Sequence, residues 1–306
     1  MTKIISVMNY KGGVGKTTLT ANISAELAYR GYDVLMIDLD PQASLTFSFL
    51  DPEMWRNEVA PVRTIKSWFA TKKKDREKNF NKLIITPDAV NDALDGRGKL
   101  DLVSSHLDLI NVDLELATKL GGATPQQMSE NYVKVHRRLK EGLEQVPNVA
   151  YDYVIIDCPP NFNIVTKCAI VASDYVLIPA KPDYLSTMGI DYLQASVNKL
   201  VKDYNAFCSQ SEDDDEEYSP IAPEIVGVVF TMVQFYGGQP INACRQYIDQ
   251  TRDLGFPVFD NYMRENKTLY ADAPRSGVPV VLGYKRNRAD IVREIENIVD
   301  ELEVKL

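Results

Sequence analysis

Few features of this chain point toward metal scaffolds, membranes or wholesale polyanion binding. Its 306 residues include four cysteines, Cys158, Cys168, Cys208 and Cys244. They lie far apart and form no C-x-x-C pair, which argues against a zinc ribbon or an iron–sulfur scaffold and fits a reducing cytosol. No apolar run approaches the ~20 residues needed to span a bilayer. Nothing near the N-terminus resembles a secretory signal. The net charge of −9 argues against a generally basic, sticky surface. That charge is uneven. Glu212 to Glu217 is six consecutive acids, whereas residues 242–293 carry nine basic side chains against six acids, a local balance of +3. With 45% hydrophobic residues the chain can bury a full core, as one large α/β domain or two smaller ones.

What is present is concentrated near the start. Ile4-Ile5-Ser6-Val7-Met8 reads as a buried strand, and Leu19, Ile23 and Leu27 recur at helical spacing. Between them lies Asn9-Tyr10-Lys11-Gly12-Gly13-Val14-Gly15-Lys16-Thr17-Thr18, so the glycines sit between a strand and a helix, the context a phosphate-binding loop requires. Gly12, Gly13, Val14 and Gly15 let backbone N–H groups curl around an anion, and the helix dipole points at the same spot. Lys16 is placed for the outer phosphates of a nucleotide, with Thr17 and Thr18 opening the helix and the Thr17 hydroxyl placed for Mg²⁺. Tyr10 stands where the usual Walker pattern has glycine. A second lysine, Lys11, stands at the loop entrance: either it is a solvated surface charge, or it crosses to a nucleotide held by another copy of the chain, for which it is better placed than to fold back on its own.

The form Lys-Gly-Gly-Val-Gly-Lys-Thr-Thr resembles the deviant Walker loop of the ParA/MinD family of ATPases. Val34-Leu35-Met36-Ile37-Asp38-Leu39-Asp40-Pro41-Gln42 is similar to that family's second motif. Tyr153-Val154-Ile155-Ile156-Asp157-Cys158-Pro159-Pro160 is similar to its Walker B strand and switch. The resemblance implies a P-loop NTPase fold, a mostly parallel twisted sheet with helices on both faces. It implies ATP and Mg²⁺ as cofactors, Asp40 as the hydrolytic aspartate, Asp38 supporting the metal's water shell and Asp157 holding a water on the metal. Lys11, Lys16 and Asp40 are then the catalytic set.

Further along, Ile65–Phe69 reads as a short helix, Lys72 to Lys78 as a charged surface run and Leu83–Ile85 as a short edge strand. Residues 51–99 carry no recognisable chemistry and are expected as a surface excursion. Thr124-Pro125-Gln126-Gln127 opens a helix with a capping box, and Val133, Leu139 and Leu143 line its inner side. The segment 209–223 reads as an acidic, mobile insertion. Because the α/β alternation continues on both sides of it, residues 1–306 are expected to form one domain. Lys181, in the loop after Tyr175–Pro179, departs from the family pattern, where an uncharged residue is usual; either it meets a phosphate across the dimer interface or it is solvated. Arg264 to Pro274 resembles a family segment whose basic residues contact DNA, although an extra residue before Ala273-Pro274 blurs the register; Arg264 and Lys267, with Arg245 and Arg275 from the same basic stretch, are the candidate DNA residues, or else a solvated basic face. The last helix is expected to bury Ile291, Ile295, Ile298 and Leu302.

The expected function is a cytoplasmic, nucleoid-associated partition ATPase. It would form a homodimer around ATP, bind nonspecific DNA in that state, and be released by hydrolysis that a ParB-like adaptor stimulates. The cargo could equally be a protein compartment on the nucleoid. A MinD-like membrane role is a weaker reading, because Asp290 to Leu306 carries six acids and two bases. A metabolic or metal-cluster enzyme lacks paired cysteines, and a non-hydrolysing scaffold would not need Asp40. The chain begins at the first strand, so no N-terminal helix-turn-helix and no operator-specific binding are expected.

Overall fold

The computed structural model describes residues 1–70, 79–147, 150–209, 218–284 and 287–306. The Lys72–Lys78 run, the acids Glu212–Glu217 and the pair Lys285 and Arg286 lie outside the described residues. Among those described, six parallel strands form one sheet: β1 (Lys3–Val7), β2 (Asp33–Asp38), β3 (Lys99–Val103), β4 (Tyr153–Asp157), β5 (Tyr175–Ala180) and β6 (Glu224–Phe230). Their order is β3-β2-β4-β1-β5-β6, with Ser6 opposite Ile156 on one side and Val176 on the other. Such strands are buried on both faces and therefore read as continuous apolar runs. Alternate side chains feed two layers: Leu35, Ile37, Val154 and Ile156 face one, Val34, Met36, Tyr153 and Ile155 the other.

The second layer holds α1 (Lys16–Tyr29), α2 (Pro52–Met54), α4 (Asp88–Leu94), α11 (Lys267–Asp272), α12 (Val280–Gly283) and α13 (Ala289–Lys305). The first holds α3 (Ile65–Ala70), α5 (Leu109–Thr118), α6 (Pro125–His136), α7 (Arg138–Leu143), α8 (Ile164–Ala172), α9 (Tyr184–Cys208) and α10 (Asn242–Asp253). A two-residue hairpin, β7 (Phe235–Tyr236) and β8 (Gln239–Pro240), follows β6. Ile291, Ile295, Ile298 and Leu302 of α13 are all buried, as their spacing predicts. At the far end of α1, Arg30 bonds Asp300 at 2.6 Å, Glu303 at 2.5 Å and the Glu296 carbonyl at 3.0 Å, tying that helix to α13.

Within 51–99, the described residues 51–70 and 79–99 depart from the expected surface excursion. Trp55, Val59, Val90 and Leu94 pack into one layer, and Ile65, Trp68, Phe69, Phe80 and Leu83 into the other. Strand β3 is one edge of the sheet, and single bridges from Thr64 to Ser104 and from Ile85 to Leu102 run along it, which blunts an otherwise open edge. The edge strand expected at Leu83–Ile85 is instead a 3₁₀ turn over Phe80–Leu83, after which Ile85 makes a single antiparallel bridge to Leu102. Thr124 caps α6 by accepting from the Gln127 N–H at 3.1 Å. The Gln127 side chain accepts from Ala123, one residue earlier than a capping box requires.

Candidate nucleotide site

All three motifs converge at the C-terminal rim of the sheet, where open α/β sheets bind ligands. Asp38 and Asp157 are register partners at the ends of β2 and β4. The phosphate loop rises from β1 between β4 and β5. Gly13 (φ 68°) and Gly15 (φ 79°) take left-handed conformations, which side chains resist. Tyr10 is not among the residues with positive φ, so the position tolerates a side chain. Its ring packs 5.4 Å from Tyr192 and 5.8 Å from Phe162, and its hydroxyl bonds Ser196 at 2.9 Å.

Lys16 is 6% exposed, and its ammonium donates to the carbonyls of Asn9 (3.3 Å) and Lys11 (3.2 Å). Burial lowers its pKa, opposed by the charges of Asp157 and Asp40. The Thr17 hydroxyl donates to Oδ2 of Asp157 at 2.7 Å, while Oδ1 of the same buried carboxylate has no partner. Burial and the neighbouring Asp38 hold the Asp157 carboxyl well above the ordinary range. Burial likewise pushes Asp38 up to about 7. A hydroxyl beside an orphaned, charge-averse carboxylate oxygen is a donor set that fits a hydrated divalent cation. The residues therefore fit Mg²⁺ held by Thr17 and, through water, by Asp157.

Asp38 has a further duty. Its oxygens accept from the Asp40 N–H (3.1 Å), the Thr46 N–H (2.8 Å) and the Thr46 hydroxyl (2.8 Å), which fixes the turn that presents Asp40. Asp40 is partly exposed at the rim, accepting from the Gln42 N–H at 2.9 Å. Cys158 is buried, and burial raises its thiol, as suits a filler rather than a nucleophile.

Lys11 makes an ion pair with Asp183, at 2.7 and 2.8 Å to the two carboxylate oxygens. Asp183 also caps α9 by accepting from the Ser186 N–H at 2.9 Å. Burial works against this carboxylate's charge, but Lys11 and Ser186 hold its pKa below the usual range. Sequence reasoning passed over Asp183, although an Asp directly ahead of a helical apolar pattern is a helix-start signal. It also passed over Asn9, whose side chain donates to the Pro179 carbonyl and accepts from the Lys11 N–H. Thr231 was missed too; it donates to the Val14 carbonyl at 2.6 Å, and no local pattern marks it. Beside the loop a cavity of about 400 Å³ opens, bordered by Gly15, Thr18, Met232, Met263 and Tyr270.

The four nominated DNA residues do not share one environment. The Arg264 side chain bonds Glu294 at 2.6 Å and Asp290 at 2.8 Å. Arg245 bonds Asn242. Lys267 and Arg275 are 88% and 86% exposed, near Glu265 and Asp272 respectively.

Comparison with known proteins agrees with this architecture. Residues 2–209 match the family described as AAA domain. The chain is 28% identical over 302 residues to the sporulation initiation inhibitor protein Soj of Bacillus subtilis, covering 96% of this chain and 98% of Soj. It is 35% identical over 197 residues to the uncharacterized protein MJECL24 of Methanocaldococcus jannaschii, spanning 64% of this chain and 66% of that relative. Among solved structures, the ATP complex of Cyanothece McdA superposes with a TM-score of 0.70 at 20% identity, covering 99% of this chain and 96% of that one. With the loop, the paired aspartates and the strand order in place, the chain belongs to the AAA-domain family and is of the ParA/MinD type.

Proposed function

We propose that this protein is a Mg-ATP-dependent partition or positioning ATPase that dimerises around ATP. The observation that carries the reading is the buried Lys16 ammonium folded onto its own loop beside the unpartnered Asp157 oxygen. Both groups are desolvated and poised for a triphosphate and its cation. Bound Mg²⁺ would supply charge neutralisation on the phosphates. Loop N–H groups would orient the phosphates, Lys16 would take the outer ones, and Asp40 would orient and deprotonate the attacking water. Lys11 would leave Asp183 and reach the phosphates of the partner subunit, as an arginine finger does.

In the ATP dimer two weak basic surfaces, centred on Arg245, Lys267 and Arg275, would act together on nonspecific DNA, so ATP state would set residence. A cargo-bound, ParB-like adaptor would stimulate hydrolysis and release, in the cytoplasm and on the nucleoid. Plasmid, chromosome origin and protein compartment would all suit this engine. The test is light scattering and DNA binding with non-hydrolysable ATP, for the parent and the Lys11→Ala and Lys16→Ala variants. Nucleotide-dependent doubling of mass and DNA binding by the parent alone is expected. An unchanged mass, or ATP-dependent DNA binding that survives in both variants, would defeat the reading.

A further inference from the structure

Three cations border the cavity beside the phosphate loop: Lys181, Arg264 and Lys267. Two are answered by carboxylates. Arg264 is paired with Glu294 and Asp290, and Lys267 lies 3.3 Å from Glu265. Among the described residues, Lys181 has no acid within ion-pair distance and only influences the Glu265 carboxylate at longer range.

The backbone fixes where Lys181 leaves the sheet. Ala180 pairs with Phe230 at the end of β5 and β6, and its carbonyl accepts from the Thr231 N–H at 2.8 Å. The Asp183 N–H closes a turn onto the Lys181 carbonyl at 2.8 Å. This short turn therefore brackets the phosphate loop with opposite charges. Asp183 holds Lys11 at the loop entrance, and Lys181 borders the cavity that Gly15 and Thr18 border at the loop's exit.

We propose that Lys181 is a nucleotide-binding residue of its own subunit, donating to the phosphate next to the sugar. This deepens the reading of the site as a nucleotide site and rests on it. Loop N–H groups take the inner phosphates, and Lys16 takes the outer ones. The sugar end then leaves past Gly15 and Thr18 into the cavity, where the first anionic group a lysine meets is the innermost phosphate. An ammonium is a compact point charge suited to one such oxygen. The contact is made with ADP as well as ATP, so it governs nucleotide retention in both states. It differs in kind from the contact assigned to Lys11, which needs a second subunit.

The test uses the full chain carrying Lys11→Ala, so that dimerisation does not mask binding. ADP affinity is measured by calorimetry and adenosine affinity by displacement, with Lys181 intact, Lys181→Met and Lys181→Arg. Lys181→Met is expected to weaken ADP about tenfold while leaving adenosine within about twofold. Lys181→Arg is expected to restore most of the ADP affinity, and thermal melting of the nucleotide-free variants should match the parent. Equal ADP affinity with and without Lys181 overturns the proposal. So does a loss seen only for ATP in the Lys11-containing protein, which would assign Lys181 to the partner's nucleotide. Failure of the Lys181-intact protein to bind ADP at all would instead remove the underlying reading of the site.

Discussion

Lys16 in the phosphate loop is nearly sealed from solvent and bonded to two carbonyls, whereas Lys267 and Arg275 in the downstream basic segment stand 88% and 86% exposed. The first region spends backbone geometry on a single ammonium: two left-handed glycines, Asn9 and Thr231 all brace the loop around it. The second region spends almost none. A charge held by the fold has a role that spacing can encode. A charge on a solvated surface acts through numbers and through salt, so individual residues there carry little information.

The largest effect that would sharpen this contrast is at Lys16. Lys16→Ala is expected to weaken ATP binding about a hundredfold, read by calorimetry, while Arg275→Ala leaves it unchanged. Equal losses would break the comparison.

Next comes the proton inventory of the carboxylates. Asp38 lies at about 7 and Asp157 is also raised, chiefly by burial. In the ligand-free protein, the stability contributed by such a raised group is present below the ordinary carboxylate pKa. It is lost as pH rises through about 7. A cation favours the ionised form, so Mg-ATP binding at pH 6.5 should release protons. Calorimetry in two buffers of different ionisation enthalpy measures the release, and Asp157→Asn should reduce it.

A smaller effect is expected at Asp183. Asp183→Asn keeps a good helix cap but removes the charge that holds Lys11. The Lys11 and Asp183 side chains are 32% and 40% exposed, which limits the strength of the pair. The ATP concentration giving half-maximal dimer by light scattering should fall about two- to fivefold. A rise would show that Asp183 supports the dimer rather than restraining it.

The smallest effects separate Arg264 from its neighbours. Arg264→Ala should cost no more than about 1 kcal/mol in melting experiments and leave the salt dependence of DNA binding unchanged. Lys267→Ala and Arg275→Ala should leave stability alone and each lower the salt slope by about 1.

Much of the architecture was legible because it is local. The run Asp33–Asp38 is a strand over those residues, Thr124 caps its helix, and the three- and four-residue spacing of α13 marks its buried side. Motif order assigned Thr17 and Asp157 to one metal site, but the hydrogen bond that joins them across 140 positions was not itself legible. What could not be read depends on contacts with no periodic signature. Thr231 meets Val14 across 217 positions, and Asp183 meets Lys11 across 172. Residues 51–99 looked like surface because charged stretches interrupt them. Their aromatics are spaced for two different faces of an edge strand, a division only the sheet reveals.

Helix α1 begins at the phosphate loop and ends in the clamp that Arg30 makes with Asp300, Glu303 and the Glu296 carbonyl. The helix is thus a strut with the ligand loop at one end and α13 as its footing. Replacing Asp300 and Glu303 together by alanine would loosen the strut from below.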